Sequence, residues 1–199
     1  MELENLVQAV TDSLFVELEA SGRHVHVTGE QAMTLFGHPL TPARPLSQPG
    51  QFLARERVTL VGEKGEFRDV AVLGPERSEG QVEISLTDGR VLGIAPPVRL
   101  SGDVEGTPGI VLLGSNGRVE LTQGVIAAKR HIHLTPRAAA HFGVKNGENV
   151  KLKALTRRPV IFEDVSVRVS EQFAPFAHLD YDEANACGFC KGDLGRILK

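Results

Sequence analysis

The side chains best suited to chemistry occur twice, in the segments Arg23-His-Val-His-Val-Thr28 and Arg130-His-Ile-His-Leu-Thr135. Successive strand side chains point to opposite faces, so His24 pairs with His26 on one face, and His131 with His133. Val25 and Ile132 then turn the other way, into a core. Two imidazoles about 7 Å apart along a strand can converge on one ion. Neutral imidazole is the commonest ligand for zinc and similar divalent metals. A lone His-x-His says little, because exposed and core histidines are frequent. Here four of the seven histidines hold the same place in a repeated unit, and a solvated surface does not explain the apolar residue between them in both copies.

His178, in Ala177-His-Leu-Asp180, also alternates with apolar neighbours and is a candidate third ligand for one ion. Glu83 and Ser85, on one face of Gln81-Val-Glu-Ile-Ser85, could complete the other, although spacing alone would make Glu83 an exposed strand carboxylate. His38 precedes a turn at Pro39 and His141 falls on a short helix, so both read as surface residues. Cys187 and Cys190 form one CxxC with no second pair to complete a zinc knuckle. They are a small redox pair or two incidental residues of a C-terminal turn. No Ser-His-Asp or Cys-His pattern suggests a covalent nucleophile.

The elements that position these residues are mostly strands. The segment 23–37 aligns with 130–143, and each reads as strand, cap, short helix and glycine stop. Thr28 with Gln31 makes a capping-box pattern, Thr135 precedes a proline suited to a first helical turn, and Gly37 and Gly143 suit left-handed helix ends. Residues 1–12 carry Leu3, Leu6, Val7 and Val10 on one helical face, and Leu14–Leu18 reads as the strand into the first motif. Further strands are expected at Val58–Val61, Val70–Leu73, Gln81–Leu86, Ile110–Leu113, Val119–Leu121, Val150–Leu152 and Val160–Val169. Turns at Glu63-Lys-Gly65 and Ser115-Asn-Gly117 join two similar hairpins. The fold class expected is mainly β: two small β-barrel domains with short capping helices, related by internal duplication.

Composition agrees with this. The 199 residues include 21 Gly and 11 Pro but no Trp and one Tyr, which suits short strands and tight turns. A net charge of −3 gives no global reason to expect nucleic acid or an anionic membrane as partner. No apolar run nears the roughly 20 residues of a membrane span. The acidic start (Glu2, Glu4, Asp12) is unlike a secretory signal, and two cysteines fit a reducing, cytoplasmic setting.

Seven blocks along nearly the whole chain resemble the phosphate propanoyltransferases of propanediol-utilisation type. They are Arg23–Thr28, Leu46-Ser-Gln-Pro-Gly-Gln-Phe52, Leu73-Gly-Pro-Glu-Arg-Ser78, Gln81–Ser85, Pro96-Pro-Val-Arg-Leu-Ser-Gly-Asp103, Arg130–Pro136 and Asp182-Glu-Ala-Asn185. The resemblance implies interconversion of acyl-CoA plus phosphate with acyl phosphate plus CoA. It also implies two barrels, residues 23–125 and residues 1–22 with 126–199, and two zinc ions at their junction. One ion would be held by His24, His26 and Glu83, the other by His131, His133 and His178. Arg77 matches the family's phosphate-binding arginine, and Ser21, Arg44, Leu73, Ser101 and Asn185 fall where the family contacts coenzyme A. Ser85 stands where many members carry Cys, and Ala71 where many carry a basic residue. Arg99 reads either as a site residue or as a salt-bridge partner of Asp103. A homodimer is implied, as is a cytoplasmic location, with the lumen of a bacterial microcompartment as the alternative. The competing readings are a metal-dependent hydrolase of esters or thioesters and a non-catalytic metal-binding β-barrel module.

Overall fold

The computed structural model describes residues 3–199, apart from the side chains of Leu3, Glu4, Leu6, Gln8, Ala9 and Asp12. Its elements run α1 (Leu3–Leu14), β1 (Val16–Ser21), β2 (His24–His26), α2 (Gly29–Phe36), β3 (Pro42–Pro45), β4 (Phe52–Val61), β5 (Glu66–Gly74), β6 (Gln81–Glu83), α3 (Leu86–Leu92) and β7 (Val98–Arg99). They continue with β8 (Ile110–Leu113), β9 (Arg118–Leu121), β10 (Val125–Ala128), β11 (His131–Leu134), α4 (Pro136–Phe142), β12 (Asn149–Leu155), β13 (Val160–Val169), β14 (Phe176–Asp180), α5 (Tyr181–Cys187) and β15 (Leu194–Leu198). The chain is mainly β and divides into two compact units, Met1–Ser21 with Lys129–Lys199, and Gly22–Ala128.

In the first unit six strands close a barrel in the order β1-β14-β11-β13-β12-β15. Strand β12 illustrates how the sequence builds it: Val150, Leu152 and Ala154 are buried while Lys151 and Lys153 are exposed, so one face is apolar and the other solvated. Val16, Leu18, Ile132, Leu134, Val165, Val167, Ala177 and Leu179 complete this core. In the second unit the strands form an open nine-stranded sheet, β7-β10-β6-β2-β5-β4-β8-β9 with β3 beside β4, which curls into a half-barrel. Its core gathers Val25, Val58, Leu60, Val70, Val72, Val82, Ile110 and Leu112, and helix α2 adds Ala32, Leu35 and Phe36. Val25 and Ile132, the apolar residues between paired histidines, are each 0% exposed. Burial of such a side chain contributes about 1.5–3 kcal/mol.

The expected caps are present. Thr28 and Gln31 form a reciprocal capping box, Thr135 accepts from the Ala138 N–H, and Gly37 and Gly143 end their helices with φ of 79° and 66°. Both predicted hairpins close, through Gly62 N–H to Gly65 O and Gly114 N–H to Gly117 O. Several strands run longer than the sequence reading, β4 from Phe52 rather than Val58 and β5 from Glu66 rather than Val70, and two further differences touch the motifs. Leu14 belongs to α1, so the strand starts at Val16. The stretch Gln81–Leu86 is strand only to Glu83, because Ser85 caps α3 and Leu86 is its first residue. Of the apolar face read on α1, Leu3 and Leu6 lie outside the described side chains, and Val7 and Val10 are exposed. No described helix is long and apolar enough to cross a membrane.

Candidate metal centres

In the half-barrel unit, β2 runs antiparallel to β6 with His24 opposite Glu83 and His26 opposite Gln81. His24 Nε2 lies 3.5 Å from Glu83 Oε2, and His26 Nε2 lies 3.9 Å from Oε1. The two rings meet edge to face at 4.9 Å, and all three residues are buried. His24 Nδ1 stands 2.8 Å from the Gly22 carbonyl and His26 Nδ1 stands 3.3 Å from the Leu73 carbonyl. A carbonyl can only accept, so each Nδ1 carries a proton and donates it. In the neutral rings, both Nε2 lone pairs then face a carboxylate, an arrangement that calls for a cation among them. A proton is one such cation. Burial opposes charge on His24, but the charge and hydrogen bond of Glu83 outweigh it and raise the His24 pKa. Burial, then the charges of His24 and Arg77, hold His26 well below the ordinary range. Burial would raise Glu83, yet its pairing with His24 keeps it far below the usual carboxylate range. A divalent ion satisfies the same geometry while leaving all three groups in their ligating forms.

The barrel unit repeats the plan with three imidazoles. Strand β11 runs antiparallel to β14 with His131 opposite His178, and the ring centroids of His131, His133 and His178 lie 4.7–4.9 Å apart. His131 Nδ1 stands 2.8 Å from the Lys129 carbonyl, the counterpart of His24 and Gly22. His178 Nδ1 lies 3.3 Å from the Glu19 carboxylate. Ligating histidines generally fix their other ring nitrogen on a carbonyl or carboxylate in this way. His133 is buried with neither ring nitrogen hydrogen-bonded among the described residues. Burial, then the charges of His131 and Arg168, push its pKa down to about 3, so it is a neutral donor at any ordinary pH. In each triad the donor atoms all lie within 4.8 Å of one another. Three imidazoles, or two and a carboxylate, fit zinc or a similar borderline ion.

The surroundings are duplicated too. The third member of each triad stands two residues before a helix N-cap, Glu83 before Ser85 and His178 before Asp180. Both caps form reciprocal capping boxes, with Asp88 and Glu183 as their partners. The arginine opening each motif grips that partner: Arg23 Nε and Nη2 donate to Asp88 at 3.1 and 2.7 Å, and Arg130 Nη1 donates to Glu183 at 2.6 Å. Ser85, weighed above as a ligand, therefore spends its hydroxyl oxygen on the Asp88 N–H at 3.1 Å.

Arg77 is half-buried and near enough to act electrostatically on His24 and His26. Its Nη1 donates to Ser101 Oγ at 3.0 Å, and Ser101 in turn meets the buried Gln81. Leu73 lends its carbonyl to His26, Arg44 is exposed on β3, and Ala71 sits opposite His24 on β5. In the other unit, Ser21 pairs with Asp180 and Asn185 is exposed on α5. Arg99 forms an exposed ion pair with Asp103 at 2.9 Å. His38 and His141 are exposed. Cys187 is buried with its thiol on the Ala184 carbonyl, and Cys190 accepts from Arg157.

Two residues near the triads escaped the sequence reading. Gln81 shares the Glu83 face of β6 by simple alternation, a signal that was available. Arg168 stands beside His133 across the parallel β11–β13 pair, which only strand pairing reveals.

Comparison with known proteins agrees with these features. The family model described as phosphate propanoyltransferase matches residues 17–190. A phosphate propanoyltransferase of Enterococcus faecalis is 55% identical over 92% of this chain and 88% of its own length. Those of Clostridioides difficile and Thermotoga maritima are 50% and 53% identical, covering 99% and 90% of this chain and 95% and 87% of their own lengths. With that match spanning both triads and Arg77, the chain belongs to the phosphate propanoyltransferase family.

Proposed function

We propose that the protein is a zinc-dependent phosphate acyltransferase that interconverts propanoyl-CoA or acetyl-CoA plus phosphate with acyl phosphate plus CoA. Family membership supports the reaction, and the two buried triads support a pair of zinc ions, one on His24, His26 and Glu83 and one on His131, His133 and His178. The observation that carries the choice of phosphate over water is Arg77, a guanidinium joined to Glu83 of the first triad through Ser101 and Gln81. Its planar fork can hold two phosphate oxygens at once, which an ammonium cannot do.

Phosphate is a modest, heavily hydrated nucleophile, and positioning it against a bound thioester can lower the barrier by roughly 7–11 kcal/mol at best. Bound zinc would supply Lewis acidity, favouring charge on the carbonyl oxygen and on the departing sulfur. Arg77 orients phosphate so that one oxygen meets the thioester carbonyl carbon. That carbon–oxygen bond forms, the carbon–sulfur bond breaks, and the proton lost by phosphate ends on the CoA sulfur. No nucleophilic side chain is required, so the reaction runs in a ternary complex. Ser21, Arg44, Leu73 and Asn185 are the proposed coenzyme A contacts; Ser101, which the resemblance groups with them, instead accepts a hydrogen bond from Arg77 Nη1. A homodimer in the cytoplasm, or in a microcompartment lumen, is the setting that the family resemblance supports.

Initial rates measured while propanoyl-CoA and phosphate are both varied test this reading. Intersecting double-reciprocal lines and acyl phosphate as product are expected. Parallel lines with a trapped acyl-enzyme would overturn the ternary complex, and CoA release indifferent to phosphate would mean a hydrolase.

A further inference from the structure

A chain of hydrogen bonds joins the first triad to Arg77, and its centre is a buried amide. Gln81 is 2% exposed. Its Oε1 accepts from the Gly102 N–H at 2.7 Å, while Nε2 donates to Glu83 Oε1 at 2.6 Å and to Ser101 Oγ at 2.8 Å. A carboxamide has two N–H donors, and both are used. Turning the amide over would set its oxygen against the Glu83 carboxylate and its NH2 against a backbone donor, so one orientation is fixed. Ser101 Oγ accepts from Gln81 and, at 3.0 Å, from Arg77 Nη1. With both lone pairs engaged, the Ser101 hydroxyl becomes a rigid link between amide and guanidinium.

We propose that Gln81 is the positioning residue of the first centre: it fixes the Glu83 carboxylate directly and Arg77 through the Ser101 hydroxyl. This inference rests on the metal reading of His24, His26 and Glu83. It assigns Ser101 to orienting the phosphate-binding arginine rather than to holding coenzyme A. Groups that orient a metal ligand commonly contribute about 10–100-fold in metal affinity. Because one amide serves both ends, zinc on the triad and phosphate on Arg77 should each tighten the binding of the other.

The test begins with zinc stoichiometry of the wild-type protein, since fewer than two ions would sink the underlying metal reading rather than this inference. Zinc affinity is then measured by competition with a chromophoric chelator for Gln81→Glu, Gln81→Met and Ser101→Ala, with and without inorganic phosphate. The two Gln81 variants should bind the first zinc about 10–100-fold more weakly. The second zinc, on His131, His133 and His178, should stay at wild-type affinity and report an intact chain. Ser101→Ala should raise the KM for phosphate several-fold with little change in the KM for propanoyl-CoA. Wild-type affinity for both ions in the Gln81 variants would overturn the proposal, as would a Ser101→Ala effect confined to propanoyl-CoA.

Discussion

His133 holds two buried ring nitrogens without hydrogen bonds among the described residues, and an unsatisfied buried group costs about 1–3 kcal/mol. A bound cation would relieve that cost at one of them, so chelation should lower thermal stability and zinc should restore it. His133→Ala should bind one zinc instead of two and lose about 100-fold or more in acyl transfer, read by metal analysis and rate on the same preparation. Ser85 behaves differently. As the N-cap of α3, Ser85→Ala should cost about 1 kcal/mol in unfolding free energy while zinc content stays unchanged. Loss of a zinc ion in that variant would make Ser85 a ligand after all. Away from the triads, burial works against charge on Glu56, but hydrogen bonds from Thr41 overcome it and hold the pKa below the usual 4.5. The unfolded chain therefore binds the extra proton more readily. Glu56 contributes stability that is complete above about pH 4.5 and fades as pH falls through its folded value. Glu56→Gln should flatten this acid limb in denaturant titrations across pH 3–6.

Each triad depends on three local elements: a His-x-His strand, an antiparallel neighbour carrying the third member, and the helix capped just after it. The arginine of the motif ties strand to helix, and Arg23 also lies 4.1 Å over the Phe67 ring. Arg23→Met would strand the Asp88 carboxylate, which is only 7% exposed, and should cost about 1.5–3 kcal/mol in equilibrium unfolding. These elements were unevenly legible in the sequence. The paired histidines, Thr caps and glycine stops follow from alternation and turn chemistry within a dozen residues. Helix α3 was hidden because Val82, Ile84 and Leu86 continue the strand alternation, although Ser85 and Asp88 already spell its capping box. Helix α5 has the same signature in Asp180 and Glu183. Strand β10, with Val125, Ile126 and Ala127 all buried, lacks the alternation of a half-exposed strand. The roles of Gln81 and Arg168 arise only from pairing between distant strands.

The two units share a plan across the whole chain: β10-β6-β2-β5-β4-β8 in one matches β1-β14-β11-β13-β12-β15 in the other, and only the latter closes. In sequence, β1 leads into β2 and β10 into β11, yet β1 belongs with β14 and β15, and β10 with β6 and β7. Each repeat thus contributes its first strand to the other unit. Closing the barrel pairs β1 with β14 and β15, about 160–180 positions away along the chain, and removal of residues 1–21 takes out β1, Glu19 and the buried Val16 and Leu18. A chain lacking 1–21 should lose the β signal of the barrel unit in circular dichroism and bind no zinc at the second triad.

The central claim is that the triads bind zinc and serve transfer to phosphate. CoA release from propanoyl-CoA, followed on chelator-stripped and zinc-reloaded protein with and without phosphate, tests it most directly. Release is expected only with phosphate present, falling to background on stripping and returning with about two zinc ions per chain. Release that persists in the stripped protein, or that proceeds equally without phosphate, would contradict it.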